Sequence, residues 1–338
     1  SGVVDGGVIT VTSVTTEVAG DSVTGDTAES LVAAEPDGSL SAGKDWVRFE
    51  LDVATSATNL TGEDHAFTIT GTLITPGGSE VLPAGSTVEY TFGPTGTAVP
   101  DGTCTVDAAG QCVVTVSSDN PGSGTIELTG VADVPVDGAT LAGTVADGDV
   151  TAAADGSLTA VKQWVEFDVD ITPLTATNIV GDSHDFEISV RADTGSGLVA
   201  LPIPPNSGTV DWSFDGPDGP DSGTCTLVAG GTCTVTQNSA TPGTGTLTAE
   251  TLNVTFNGEV LNPVDLTDES ANGVSTSLTA PVEADKTWVQ LVVDVSDDAT
   301  NIVGDDHEFT IFAWYDDGTG LTPVPDNASA AFTWTGVG

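Results

Sequence analysis

The chain has 338 residues, with 50 Asp and Glu against 5 Lys and Arg, a formal net charge of −45. Five cations cannot displace the counterions of a nucleic acid or hold an anionic membrane surface, so both are excluded as partners. Hydrophobic residues at 38% nevertheless supply enough apolar surface for cores, and the length suggests two or three domains.

In chain order, residues 1–40 read as the tail of a preceding repeat plus a linker, because Val3-Val4-Asp5-Gly6-Gly7-Val8 resembles the later turn VPVDGATL. Residues 41–143 read as a first repeat of short strands. Trp46, Phe49, Leu51 and Val53 lie in one extended run, Phe67, Ile69 and Leu73 alternate with Thr and Gly, and Val88, Tyr90 and Phe92 alternate with Glu89 and Thr91. A period of two between Gly, Pro, Asp and Asn clusters predicts antiparallel strands with one buried face. Asp137-Gly138 between apolar flanks predicts a tight type I′ turn. Residues 144–160, rich in Asp, Ser, Thr and Ala, read as an exposed linker. A second repeat follows in 161–264, with Asn257-Gly258 as its turn, then a second linker in 265–284. Residues 285–338 read as an incomplete third repeat, ending at the counterpart of the strand before the Cys pair. Such a sandwich exposes an apolar face around Phe309, Phe312, Trp314 and Trp334, expected to be completed by further chain or by strands of a neighbouring molecule. No run of about 18 apolar residues suggests a membrane span.

The repeat is carried by aligned motifs. Trp46, Trp164 and Trp288 are spaced by 118 and 124 residues; Asn59, Asn178 and Asn301 by 119 and 123, as are His65, His184 and His307. Lys44, Lys162 and Lys286 each precede the Trp by two residues. They are expected to pair with carboxylates or to lie along a neighbouring apolar surface.

TNLTGEDHAFTI, TNIVGDSHDFEI and TNIVGDDHEFTI are similar to the Asn-x-x-Gly-x-x-His signature of bacterial immunoglobulin-like repeats of the invasin and intimin type. The Cys-bearing segments GTCTVDAAGQCVVTV and GTCTLVAGGTCTVTQ, and the Lys-x-Trp opening, look like later parts of such repeats. The resemblance implies an all-β fold of tandem immunoglobulin-like antiparallel sandwiches in an extended array. It also implies a role as stalk, adhesin rod or surface layer of a prokaryote, without a standard catalytic site.

Cys104 and Cys112, like Cys225 and Cys233, enclose seven residues with a turn midway. On an antiparallel hairpin the two would face each other, close enough for a disulfide. Two disulfides imply an oxidising, extracellular setting. His65, His184 and His307 stand alone in their repeats, with no nucleophile or converging ligands, and read as structural hydrogen-bonding residues. Asn59, Asn178 and Asn301 read as turn residues bonding nearby backbone. Asp147, Asp149 and Asp155 crowd one linker; Asp265, Asp268 and Glu269 crowd the next. Calcium is the one cofactor these clusters suggest, stiffening the joints between domains; solvated charge and adaptation to high salt are the alternatives. The leading expectation is a non-catalytic structural element, its partners copies of itself or other surface proteins. The alternative is an adhesin module gripping glycan or protein through loops at Gly195–Ser207 and Asp215–Gly223.

Overall fold

The computed structural model describes residues 4–28, 34, 38–54, 56–93, 102–279 and 281–336. The chain divides into two compact units, Ser1–Ala57, Asp64–Ser117 and Ser123–Lys162 in one and Thr58–Glu63, Ser118–Gly122 and Gln163–Gly338 in the other.

Among the described residues every regular element is a strand. The first half of the chain carries β1 (Asp5–Thr10), β2 (Ser13–Val18), β3 (Asp21–Asp26), β4 (Ser41–Trp46), β5 (Arg48–Val53), β6 (Ala57–Leu60), β7 (His65–Thr75), β8 (Gly78–Val81), β9 (Thr87–Gly93), β10 (Gly102–Thr105), β11 (Gln111–Val116), β12 (Gly122–Val136), β13 (Ala139–Thr144) and β14 (Val150–Ala152). The second half carries β15 (Thr159–Thr172), β16 (Thr175–Ile179), β17 (His184–Asp193), β18 (Val199–Ala200), β19 (Ser207–Gly216), β20 (Gly219–Thr226), β21 (Thr232–Gln237), β22 (Gly243–Phe256), β23 (Glu259–Val260), β24 (Val264–Asp265), β25 (Val282–Val295), β26 (Ile311–Asp316) and β27 (Leu321–Pro323).

In the first unit β5, β7 and β11 form one antiparallel sheet, and β10, β9, β12 and β13 form the other. Alternation sets which side is buried: along β11 every second residue turns inward, as a period of two requires. Phe67 of β7 meets Phe92 of β9 across the sandwich with ring centroids 6.5 Å apart. Each such buried side chain stabilises by about 1.5–3 kcal/mol. The Asp-Gly and Asn-Gly turns form as the sequence predicts, with φ of 48° and 79° at Asp137 and Gly138 and 52° and 86° at Asn257 and Gly258.

The second unit repeats the plan and adds to it. β17 pairs with residues 166–172 of β15 and with β21. Opposite them, β20, β19, β22 and residues 282–288 of β25 form the facing sheet, and β16 runs parallel along the free edge of β25. A parallel edge strand from the start of the domain beside its last strand, over a three-stranded partner sheet, is an immunoglobulin-like sandwich.

β25 does not end with this sandwich. Its residues 290–295 continue into a further sheet with β26 and β27. The sequence explains how. Val282, Ala284, Lys286 and Trp288 alternate toward the sandwich core and are buried. Trp288-Val289 then places two core-type residues in succession, and the apolar positions continue as Leu291, Val293 and Val295. Because neighbouring side chains of a strand point to opposite faces, this one-residue slip turns the apolar side over. One strand thereby faces one core with its first half and the opposite side with its second.

Four expectations are corrected here. The Lys-x-Trp motif does not open its own repeat; Trp288 lies within the core of the sandwich before it. The stretch 265–284, read as an exposed linker, contributes Leu266, Val274 and Leu278 to that same core. In the first unit Val150, in the other expected linker, is buried and pairs in parallel with Phe49. Widely spaced apolar residues in these polar stretches suffice to dock them on a strand edge whose backbone groups need partners. The Cys pairs do form disulfides, with Cα atoms 5.8 and 5.9 Å apart, but not within one hairpin ladder. Cys104 lies on β10, which pairs with β9, while Cys112 lies on β11, which pairs with β7, so the bond ties one sheet to the other. Of the expected binding loops, 215–223 lies in the hairpin of β19 and β20, where Gly216 pairs with Gly219, and 195–207 includes Val199–Ala200, which pairs with β17.

Candidate functional site: a buried amine, amide and imidazole

The Asn-x-x-Gly-x-x-His and Lys-x-Trp motifs meet in the second unit, where Asn178 and Lys286 come together from 108 residues apart. β16 lies along β25 with Ala176 opposite Lys286 and Asn178 opposite Trp288. After β16 the chain turns tightly: Asp182 N–H donates to Ile179 O at 3.1 Å, and Gly181 takes φ of 87°. Gly62 and Gly304 have φ of 81° and 100° at the same place in their motifs, a left-handed backbone that explains the motif glycine. Asn178 Nδ2 donates to Ser183 O at 3.0 Å, closing the turn. Asn301 does the same to Asp306 O at 2.9 Å.

With its Nδ2 fixed, Asn178 presents Oδ1 to the core, where it accepts a hydrogen bond from Lys286 Nζ at 2.8 Å. Lys286 is fully buried, and among the described residues no carboxylate forms an ion pair with it. The amine also stands 5.6 Å from the centroid of the Trp288 ring, within cation–π reach. Of the two expectations for this lysine, the apolar surface holds and the carboxylate does not. Trp288 is itself anchored by a hydrogen bond from Nε1 to Asp182 O at 3.0 Å. Trp164 makes the corresponding bond to Glu63 O at 3.3 Å.

His184, the first residue of β17, lies within reach of the Lys286 charge. Its ring stands edge-on to Phe186, centroids 4.7 Å apart at 86°; His65 with Phe67 and His307 with Phe309 repeat the contact at 4.6 and 4.5 Å. Its Nε2 is buried with no hydrogen-bond partner. Burial holds the Lys286 amine below its ordinary pKa, because removal from water disfavours the ammonium form. Burial and then the Lys286 charge hold the His184 imidazole down as well, opposed by Asp185. The arrangement is a buried amine against a half-buried carboxamide, with a half-buried imidazole that senses the amine's charge. The sequence showed all three residue types recurring together; it did not show that the lysine of one motif copy serves the asparagine and histidine of the copy before.

A second polar cluster lies on β15 and β17. Arg191 bonds the buried Asp168 and the exposed Asp170, and Glu166 nearby is raised in pKa chiefly by burial, against a hydrogen bond from Ser275.

Of the carboxylates expected to bind calcium, Asp147, Asp265 and Asp268 accept hydrogen bonds from their own turns. Among the described residues no three His, Cys, Asp or Glu side chains come together as metal ligands. Asp147 accepts from Thr144 Oγ1 at 2.9 Å. Asp265 accepts from Thr267 N and Oγ1 at 2.9 and 2.7 Å, and Asp268 from Ser270 N and Oγ at 2.8 and 2.7 Å. These oxygens cap their own turns. Asp149 and Asp155 bring no convergent set to the first cluster, nor Glu269 to the second.

An apolar face is exposed on the sheet of β25, β26 and β27. Leu291, Val293 and Ile311 hold the positions of Phe167, Val169 and Ile188, which are buried in the complete sandwich, yet all three are exposed. Phe309, Phe332 and Trp334 border this face with Val295 and Ile311. Phe312 and Trp314, expected on the same face, alternate with Ile311 and Ala313 and stack on one another with centroids 5.9 Å apart.

No protein family and no characterised protein sequence matches the chain. Solved structures do. The D0-D1 domain of intimin is similar at 15% identity and a TM-score of 0.22, over 65% of this chain and 98% of that one. Three N-terminal domains of the bacteriophage RB49 Highly Immunogenic Outer Capsid protein are similar at 10% identity and a TM-score of 0.38, over 80% and 78%. A tetra-tandem repeat in the extending region of a large adhesion protein is similar at 16% identity and a TM-score of 0.27, over 87% and 66%.

Proposed function

We propose that the chain is a non-catalytic structural segment of a prokaryotic surface protein, working outside the cell as part of a stalk, surface layer or fibre. The observation that carries this reading is β25, one unbroken strand that closes one sandwich and opens the next sheet. A load along such a strand passes from sandwich to sheet through backbone hydrogen bonds, with no slack peptide between. The two disulfides suit an oxidising exterior, and the high negative charge keeps neighbouring chains apart in solution. Copies of the chain or other surface proteins are the partners this role calls for.

Single-molecule pulling tests it. Stretching the chain from its ends is expected to give discrete unfolding events, and Gln290→Pro, which removes an N–H at the junction within β25, is expected to lower the force of the event for the second sandwich. Smooth extension at low force in the native chain would remove the mechanical role. Specific capture of one glycan or protein by residues 195–207 or 215–223 would move the chain to the adhesin-module class.

A further inference from the structure

We propose that Lys286 and Asn178 become covalently joined: Nζ of the lysine displaces the side-chain amide nitrogen of the asparagine, leaving an isopeptide bond between β16 and β25, the last strand of the sandwich.

Three observations carry this proposal. Lys286 is fully buried without an ion pair among the described residues. Its Nζ already lies 2.8 Å from Asn178 Oδ1, so the carbon to be attacked is the next atom. His184 offers a buried Nε2 that has no partner. A lysine held in a core only for packing would be replaceable by an apolar residue at lower desolvation cost, and a histidine held only for its edge contact needs no free nitrogen. An amine held against a carboxamide, with an imidazole near enough to sense the amine's charge, supplies instead the components of an amide exchange.

The step balances without any further reagent. The ammonium of Lys286 first loses a proton to water, which burial favours. The Nζ lone pair adds to Asn178 Cγ, and the carbonyl electron pair moves onto Oδ1. The His184 imidazole accepts a proton from Nζ and delivers it to Nδ2. The Cγ–Nδ2 bond then breaks, its electron pair leaves with nitrogen as ammonia, and the Oδ1 carbonyl re-forms. One C–N bond forms, one breaks, and nothing is oxidised or reduced. Proximity does most of the work, since fixed neighbours react as though at very high concentration.

The product would link β16 to β25, two strands 108 residues apart by the positions of their joined residues. Both belong to the sandwich sheet that β25 leaves to enter the next one. The bond would therefore close the sandwich at the strand that carries the load.

Intact mass of the purified, folded protein, measured after reducing the disulfides in denaturant, reads the bond directly. The expected mass is lower than that of the sequence by one molecule of ammonia for each bond formed. Trypsin should fail to cut after Lys286 and release a branched peptide in which the segment around Asn178 is attached to that lysine. Full sequence mass together with clean cleavage after Lys286 overturns the proposal. Lys286→Met should restore full mass at residue 286. His184→Gln keeps a side chain that fills the site but cannot relay a proton, and the bond should form about a hundredfold more slowly. If His184→Gln folds with an unchanged circular dichroism spectrum and joins at the native rate, the part given to His184 is wrong. Should Lys286→Met fail to fold, the native mass and digest still decide.

Discussion

Trp288 packs edge-on against Phe214, ring centroids 5.9 Å apart at 85°, in the core of the sandwich that precedes its own motif copy. The equivalent Trp46 is 41% exposed, whereas Trp164 and Trp288 are at 1% and 0%. Trp288→Ala should therefore cost about 3–5 kcal/mol, the range for truncating a large buried aromatic. Trp46→Ala should stay within about 0.5 kcal/mol, as exposed sites do. Denaturant unfolding followed by the near-ultraviolet signal separates the two; equal losses would contradict the placement of Trp288.

The disulfides should contribute modestly and locally. Each closes a short loop, for which chain entropy predicts about 2–3 kcal/mol. Replacing Cys225 and Cys233 together by Ser should lower the denaturant midpoint of the second sandwich by that amount and leave the first unchanged. Because the bond joins two sheets at their edge, hydrogen exchange should rise first in β20 and β21 of the variant, and uniform loosening of both units would argue otherwise.

Glu166 makes the second sandwich prefer mild acid. Its pKa in the folded chain lies above the ordinary 4.5, raised by burial. The folded state thus holds the proton more tightly than the unfolded state, so its contribution is fully present below the unfolded value and lost as pH rises through the folded one. Glu166→Gln should melt higher than the native protein at neutral pH, and the gain should vanish as pH falls below 4.5. A variant that melts lower at neutral pH would show that the carboxylate is net stabilising there.

Much of this fold could be read from sequence because its strands announce themselves. Phe67, Ile69 and Leu73 alternate as a half-buried strand must, and Asp137-Gly138 and Asn257-Gly258 turn where the dipeptides require. The repeat showed in Trp46, Trp164 and Trp288. Which sandwich each Trp serves was harder to see, since a strand with two cores looks like one long strand. The readable clue is the slip at Trp288-Val289, two successive inward-type residues in a run of period two. The Cys pairs were found but placed on one hairpin, because spacing reports that two residues can meet and not which sheet each has joined. The Lys286, Asn178 and His184 cluster was beyond local reading, as its members come from two copies of the motif.

Salt, and not a specific divalent ion, should govern the stability of the acidic exterior. At a net charge of −45 self-repulsion weakens the fold until it is screened, over a Debye length of about 8–10 Å at ordinary ionic strength. Melting temperature should climb with sodium chloride, and calcium at matched ionic strength should add nothing more, given that Asp147, Asp265 and Asp268 are engaged in their own turns. A calcium-specific rise that a chelator reverses would show a site formed from these carboxylates after all.

The dual strand also dictates an order of events when the chain leaves a ribosome or a translocon N-terminus first. The second sandwich cannot shut when its turn at Asn257-Gly258 emerges; it must wait for residues 282–289, which supply its last strand and Trp288. By then the opening strand of the following sheet is next in line, already aligned by the half that has just docked. Each sandwich would finish only as its successor begins, so that unfinished edges are handed forward along the chain and seldom left open to solvent. A clean excision of one module from such a chain would have to cut inside a strand, between Val289 and Gln290, and would leave both fragments short of half of it.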